Sequence, residues 1–227
     1  EEGHTLTCWS PFITFDEVVD LTTSKDFRLS SAFTPTYNMI ANLLATRTEE
    51  EATRFLTSSF AQFQKEKNPK TSNYNLLEEV SARRHVLEES GMVEGWKLTE
   101  IGAPLTRIFN EHDLLITMSI SAGIFKDLRE EELAALVSCF VYNNRRHDRK
   151  IRKKQTHWSL ASERIEKLLL LNREISEIED SYKIESIVNP DPGFTRVIHD
   201  WVLGSELSDV LTEEFSGGEF VRNLRLS

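Results

Sequence analysis

Seven of the ten residues from Arg145 to Lys154 are basic: Arg145, Arg146, Arg149, Lys150, Arg152, Lys153 and Lys154, against the single acid Asp148. Such a run is either a solvated connection between helices or a contact to phosphates, where each cation displaces counterions and makes binding salt-dependent. Near the end of the chain Arg222 and Arg225 stand three residues apart, a spacing at which one helix points both the same way. A guanidinium grips a phosphate with its fork or stacks on a base with its flat face. Arg83 and Arg84 form a third basic pair, but Glu78, Glu79, Glu88 and Glu89 flank it and disfavour phosphate contact. Neither GxxxxGK(S/T) nor GxGxxG occurs, so no phosphate-cradling loop is expected in this chain. The six histidines (His4, His85, His112, His147, His157, His199) lack HExxH or other ligand spacing. His112-Asp113 and His199-Asp200 are adjacent pairs, whose side chains should not face each other on a helix, and all six read as surface or helix-end residues. Cys8 and Cys139 have apolar neighbours and no basic setting to favour a thiolate. Both read as small buried apolar residues of a reducing compartment. No catalytic or metal-ligating residue is expected.

The whole chain of 227 residues carries a formal charge of -10, from 27 Lys plus Arg against 37 Asp plus Glu. The basic run alone is +6, which leaves -16 on everything else, so the average says little about local surfaces. At 39% hydrophobic and 28% charged the composition is that of an ordinary globular protein of one or two domains. No stretch approaches the ~18 apolar residues of a membrane span, and the two cysteines exclude a disulfide framework. The opening Glu1-Glu2-Gly3-His4 has neither a methionine nor an apolar leader, which reads as part of a longer, cytoplasmic chain.

The elements that must position these residues are mostly helices. HTLTCWS (4–10) has strand character, closed by Pro11, with no comparable partner nearby. Thr34-Pro35 starts a helix bearing Tyr37, Ile40, Leu43 and Leu44. Thr48 with Glu51 has capping-box spacing, and Ala52, Phe55, Leu56, Ser59, Phe60 and Phe63 then line one face. Residues 65–75 are polar and aperiodic and read as a loop. A helix over 76–90 stops at Gly91, and 92–99 holds two short extended pieces around Glu94-Gly95, the outline of a winged helix. Thr99 caps the next helix. Asp127 with Glu130 caps a run containing Leu133, Leu136, Val137, Phe140 and Val141. Ser159 precedes a long helix bearing Ile165, Leu168, Leu171, Ile175 and Ile178. Asp191-Pro192 opens a helix that turns Phe194, Val197, Ile198, Trp201 and Val202 inward and ends at Gly204. Leu207, Val210, Leu211 and Phe215 make a short helix, and a last basic helix spans 219–227. The expected fold class is mainly α, a winged helix followed by a helical bundle.

Several longer motifs carry a resemblance. GHTLTCWSP (3–11), FTPTYNMIANLL (33–44) and SSFAQFQ (58–64) resemble the stretch that leaves the second RecA-like domain and enters the winged helix of superkiller-type DExH-box RNA helicases. The FxPxYNM and SFAQFQ forms are similar to the bacterial HelY branch. LTEIGAPLTRIFNEHDLL (98–115), GIFKDLREEELAALVSCFVYNNRR (123–146), GFTRVIHDWVLGSELSDVL (193–211) and GGEFVRNLR (217–225) are similar to its C-terminal helical domain, in the same order.

The resemblance implies a tail of a RecA-like domain and linker over 1–29, including a short β segment. It implies a winged helix over 30–109 and a truncated helical bundle over 110–227. The arch insertion of the family is missing or reduced near 65–75. It further implies a role in closing an RNA channel during 3′-to-5′ unwinding for processing or decay. The partners would be single-stranded RNA or a duplex with an overhang, RecA-like domains of the same chain, and an RNA-decay complex. ATP and Mg are implied for the RecA-like domains and no cofactor for this part, which should be inactive alone. The helix at 219–227 is similar to the ratchet helix that touches RNA, which gives Arg222 and Arg225 an RNA-binding role; for the run at 145–154 the resemblance implies none. A winged-helix interaction module without a motor, and a related DNA helicase, are the rival readings.

Overall fold

The computed structural model describes residues 8, 12–23, 33–67, 75–142, 160–185, 189–211 and 217–226. Two units divide at residue 33. In the first, α1 (Phe15–Thr23) begins at a capping box absent from the sequence-based expectations. The Thr14 backbone N–H donates to Glu17 Oε2 at 2.9 Å, and the Glu17 N–H donates back to Thr14 Oγ1 at 3.4 Å. The strand expected over 4–10 lies outside the described residues, apart from Cys8, which is exposed rather than buried.

Among its described residues, the second unit is helices and connections apart from one small hairpin. α2 (Tyr37–Thr46) starts two residues later than expected: Thr36, not the Thr34-Pro35 pair, is the cap, and its hydroxyl accepts the Met39 N–H at 3.1 Å. α3 (Glu49–Thr57) carries the expected capping box, with the Thr48 N–H bound to Glu51 Oε2 at 2.9 Å. The helix breaks at Ser58 before α4 (Phe60–Lys67), which changes the phase of the apolar stripe. Ala52 and Leu56 are buried on α3 and Phe55 is half exposed at its edge, while Phe60 and Phe63, beyond the break, are about half exposed. The Arg47 guanidinium lies 4.6 Å from the centre of the Phe55 ring. Residues 65–67 belong to α4 rather than to a loop, and 68–74 lie outside the described residues.

α5 (Leu76–Glu89) ends where expected, with Gly91 at φ +72°. β1 (Val93–Glu94) pairs antiparallel with β2 (Lys97–Leu98), setting Glu94 opposite Lys97. Trp96 Nε1–H donates to the Arg47 carbonyl at 2.8 Å and pins the hairpin tip to the end of α2. Gly102 is forced by space: a Cβ there would lie 2.0 Å from the Met92 carbonyl oxygen. Thr99 is expected to cap a helix; instead a 3-10 turn at Ala103–Arg107 follows with Gly102 at its cap position, and the Thr99 hydroxyl accepts the Gly102 N–H at 3.2 Å.

α6 (Asp113–Ser121), α7 (Glu130–Ser138) and α8 (Leu160–Ser181) complete the main core. The start of α7 differs from the expected Asp127–Glu130 cap. Asp127 sits at φ +60°, and Glu132 reaches back to the Arg129 N–H at 3.0 Å. Glu132 also accepts the Leu160 N–H at 3.2 Å, so one buried carboxylate serves the starts of α7 and α8. Leu136 and Phe140 are buried as the periodicity required, but Leu133 is 40% exposed. On α8, Ile165, Leu168 and Ile175 are buried, and Leu171 and Ile178 pack against the same core; Ser159 lies outside the described residues.

A smaller core follows. Asp191 caps a 3-10 turn (Pro192–Phe194), its Oδ1 accepting the Gly193 N–H at 2.8 Å. α9 (Thr195–Val202) runs on from it and ends at Gly204, φ +92°. Phe194 and Ile198 are buried, whereas Val202 is 42% exposed. In α10 (Leu207–Val210) only Val210 is buried, and Phe215 lies outside the described residues. The chain closes with α11 (Gly217–Leu226).

Candidate nucleic-acid interface

The described chemistry-bearing residues fall into two groups, one turned outward and one buried. The outward group is on α11. Phe220 and Asn223 are buried and Leu224 is partly so, which fixes the inner face of this helix. Phe220 meets Phe194 edge-on with ring centres 6.0 Å apart, and Trp201 at 5.1 Å. Phe194 stacks in turn on Tyr142 at 5.3 Å. With that face anchored, Val221, Arg222 and Arg225 turn to solvent. The two guanidinium stems are separated by roughly 60° of helix rotation and about 4.5 Å of rise.

The other basic pair serves the fold. Arg83 is buried and ion-paired to Glu79, and Arg84 pairs with Glu88 and donates to the Gly95 carbonyl. Arg129 is held by Glu131 and Glu132, and Arg196 by Asp200. Among the described residues, no such ion pair engages Arg222 or Arg225. Arg145, Arg146, Arg149, Lys150, Arg152, Lys153 and Lys154 all lie outside the described residues. Tyr142, three residues before that run begins, belongs to the same small core that seats α11.

The buried group has no counterpart among the sequence-based expectations. Tyr37 Oη–H donates to Glu179 Oε1 at 2.7 Å, joining α2 to α8 across 142 residues. Burial, then the Glu179 charge, push the Tyr37 hydroxyl well above its ordinary range. Asp113 lies beside them, buried, where α6 begins. A cavity of about 270 Å³ adjoins the cluster, lined among others by Arg83, Glu111, Asp113, Glu179 and Glu185. Four carboxylates against one arginine, itself paired, would repel a nucleotide triphosphate. This cavity does not fit ATP.

Two histidines sit at helix ends as expected, His112 at the cap of α6 and His199 in the last turn of α9, but not at the surface. His112 and His199 are buried, and burial holds the His112 imidazole below its usual value. His199 Nδ1 lies 3.0 Å from Asp200 Oδ1, so this adjacent pair does meet; the Asp200 carboxylate bends between His199 and Arg196. Cys139 is buried as expected, and burial, aided by Asp191, pushes its thiol up to about 12. Among the described residues no cluster of three His, Cys, Asp or Glu side chains could hold a metal ion. Nor is any described helix long and apolar enough to cross a membrane.

The described residues thus form a mainly helical scaffold that turns two arginines outward from the anchored helix α11. Residues 95–226, more than half of the chain, match the model described as the DSHCT (NUC185) domain, and the chain belongs to that family. A protein named "Probable helicase HelY" from Mycobacterium tuberculosis is 40% identical over 67 residues, 30% of this chain and 7% of that protein. "DExH-box ATP-dependent RNA helicase DExH9" of Arabidopsis thaliana is 28% identical over 147 residues, 59% of this chain and 14% of its own length. "ATP-dependent RNA helicase mtr4" of Schizosaccharomyces pombe is 27% identical over 161 residues, 67% of this chain and 14% of its own length. The chain thus spans a small part of the curated relatives it matches. The relatives agree with the resemblance to HelY-type, superkiller-family helicases drawn from the motifs.

Proposed function

We propose that this chain is the C-terminal accessory region of an ATP-dependent RNA helicase that moves 3′ to 5′. In this reading residues 1–29 are the tail of a RecA-like domain, 30–109 a winged helix and 110–227 the helical bundle. ATP and Mg would be bound by RecA-like domains of the same polypeptide, and this region contributes no hydrolytic residue. Its share of the work is mechanical: it closes the RNA channel and offers the moving single strand a surface. The protein acts in the cytoplasm on single-stranded RNA or on duplexes with an overhang, in RNA processing or with a decay complex.

The observation that carries this reading is the outer face of α11. Arg222 and Arg225 are free of internal ion pairs among the described residues, on a helix whose opposite face is anchored by Phe220. Two guanidiniums one turn apart suit successive phosphates or a phosphate and a base face, which gives grip with little sequence preference. In this reading the basic run from Arg145 to Lys154, three residues after Tyr142 in the sequence, adds a second, purely electrostatic contact to the same strand. Binding of a single-stranded RNA oligomer by the full chain, with Arg222→Ala and Arg225→Ala combined, tests it. Weakened binding at unchanged thermal stability supports the reading, and unchanged binding removes α11 from the interface. A single-stranded DNA arm of the same length distinguishes a DNA helicase of related architecture.

A further inference from the structure

The cavity of about 270 Å³ that repels a triphosphate lies between the start of α2, the approach to α6, and α8 with the chain just beyond it. Leu115, Ile175 and Ile184, all buried, give it an apolar wall. Its carboxylates are of two kinds. Asp113 and Glu179 are buried and held in place. Asp113 Oδ2 accepts the Asn38 backbone N–H at 2.7 Å, its Oδ1 accepts the Leu114 N–H at 2.8 Å, and Glu179 Oε1 accepts from Tyr37. Glu111 and Glu185 are exposed, and no ion pair among the described residues engages either. Arg83 is ion-paired to Glu79, which lies outside the lining, so its charge is already matched.

A second, independent feature points to a ligand. His112 lines the cavity and is only 7% exposed, yet no hydrogen bond reaches its ring nitrogens among the described residues. The ring rests on Phe140, with centres 5.9 Å apart. Burial favours the neutral imidazole, so one of its nitrogens is an acceptor that lacks a donor. A polar group buried in that state costs free energy, which a donor inside the cavity recovers.

The occupant must therefore donate hydrogen bonds, carry positive charge and cover an apolar wall. A metal ion does not qualify, because no three His, Cys, Asp or Glu side chains among the described residues could hold one. The volume falls just below the roughly 300 Å³ at which drug-sized sites begin, which suits a small extended cation. An alkylammonium meets every demand: its methylenes lie on the leucine and isoleucines while its N–H groups face the carboxylates and the imidazole. We propose that this cavity binds an aliphatic ammonium, either a free di- or polyamine or a lysine side chain presented by a partner. The site is separate from α11 and does not depend on the RNA reading.

The test titrates the full chain near neutral pH and at constant ionic strength, following backbone amide resonances. One arm adds cadaverine, another N-acetyl-lysine methylamide, and a third pentanediol, which has the length of cadaverine without its charge. Saturable shifts centred on Leu114, Leu115, Ile175 and Ile184 are expected with an amine and not with the diol. Glu111→Gln combined with Glu185→Gln, both at exposed positions, should weaken binding roughly fivefold. So should His112→Phe, which keeps a ring against Phe140 and removes the acceptor. Glu49→Gln with Glu50→Gln removes the same charge from the exposed start of α3 and should change nothing. Tighter binding of cadaverine assigns the site to free polyamines, and tighter binding of the lysine derivative assigns it to a partner's side chain. Three results overturn the proposal: no saturable binding of either amine, equal binding of the diol, or equal loss from the α3 pair and the cavity pair.

Discussion

Phe220→Ala separates the anchoring of α11 from its surface chemistry. Phe220 is 1% exposed and is the side chain through which α11 meets Phe194 and Trp201. Truncating a buried phenylalanine typically costs about 3 to 5 kcal/mol, the lost transfer energy plus the cavity left behind. The small core that holds it has few other members, namely Phe194, Ile198 and Val210 with partly buried neighbours, so this loss is large against the local opening energy of a terminal helix. The expected outcome is selective detachment of α11 while the main core, which does not include Phe220, stays folded. Hydrogen exchange resolved along the chain measures this: amides of α11 should lose protection by two or more orders of magnitude, with those of α2, α5 and α8 unchanged. RNA affinity should fall with them although both arginines are still present. Unchanged α11 protection in Phe220→Ala would refute the reasoning, because the helix would then be held by something other than this core.

Three other outcomes are expected from the geometry. Gly102→Ala places a Cβ 2.0 Å from a backbone oxygen that cannot move aside cheaply, so its cost should reach the upper part of the roughly 1 to 3 kcal/mol range for overpacking, read as a shift in the urea midpoint. Asp113 should make stability depend on pH. Its folded value of about 6 exceeds the usual 3.8, so its contribution is fully present below about 3.8 and lost as pH rises through 6. The shift corresponds to a term on the order of 3 kcal/mol at most, and the difference between the wild type and Asp113→Asn in denaturant titrations at pH 5 and 7.5 checks its sign. An alkylating reagent at pH 7.5 should modify Cys8 quickly in the native chain and Cys139 only on unfolding, as mass spectrometry of the two peptides reports.

How much of the fold is legible in the sequence depends on how local each determinant is. The Thr48–Glu51 box, the Gly91 stop and the hairpin around Gly95 depend on residues within a few positions of each other, and all three are legible. The Thr14–Glu17 box is equally local and discloses α1 by its spacing, although the strand-like segment before it is the stronger pattern. Phe60 and Phe63 leave the core face that periodicity assigns them because one break at Ser58 rotates everything after it, while Phe55, before the break, lies at the edge of the stripe under the Arg47 guanidinium. The Asp127 cap fails for a conformational reason, a left-handed residue that moves the helix start two positions on. The Asp113 and Tyr37–Glu179 bonds span 75 and 142 residues, and no spacing rule reaches that far. The outward direction of Arg222 and Arg225 is legible from their spacing together with Phe220. Why no described acid pairs with them is not, because it depends on which acids the fold assigns to the other arginines.

The central claim, that α11 grips a single strand through two arginines, is tested most directly by the salt dependence of RNA binding. Each phosphate contact on a single strand contributes about 0.7 to the slope of log affinity against log salt. For the full chain with Arg222→Ala and Arg225→Ala, the slope should fall by about 1.4 relative to the wild type, twice that single-contact value, at equal thermal stability. An unchanged slope with unchanged affinity would contradict the account.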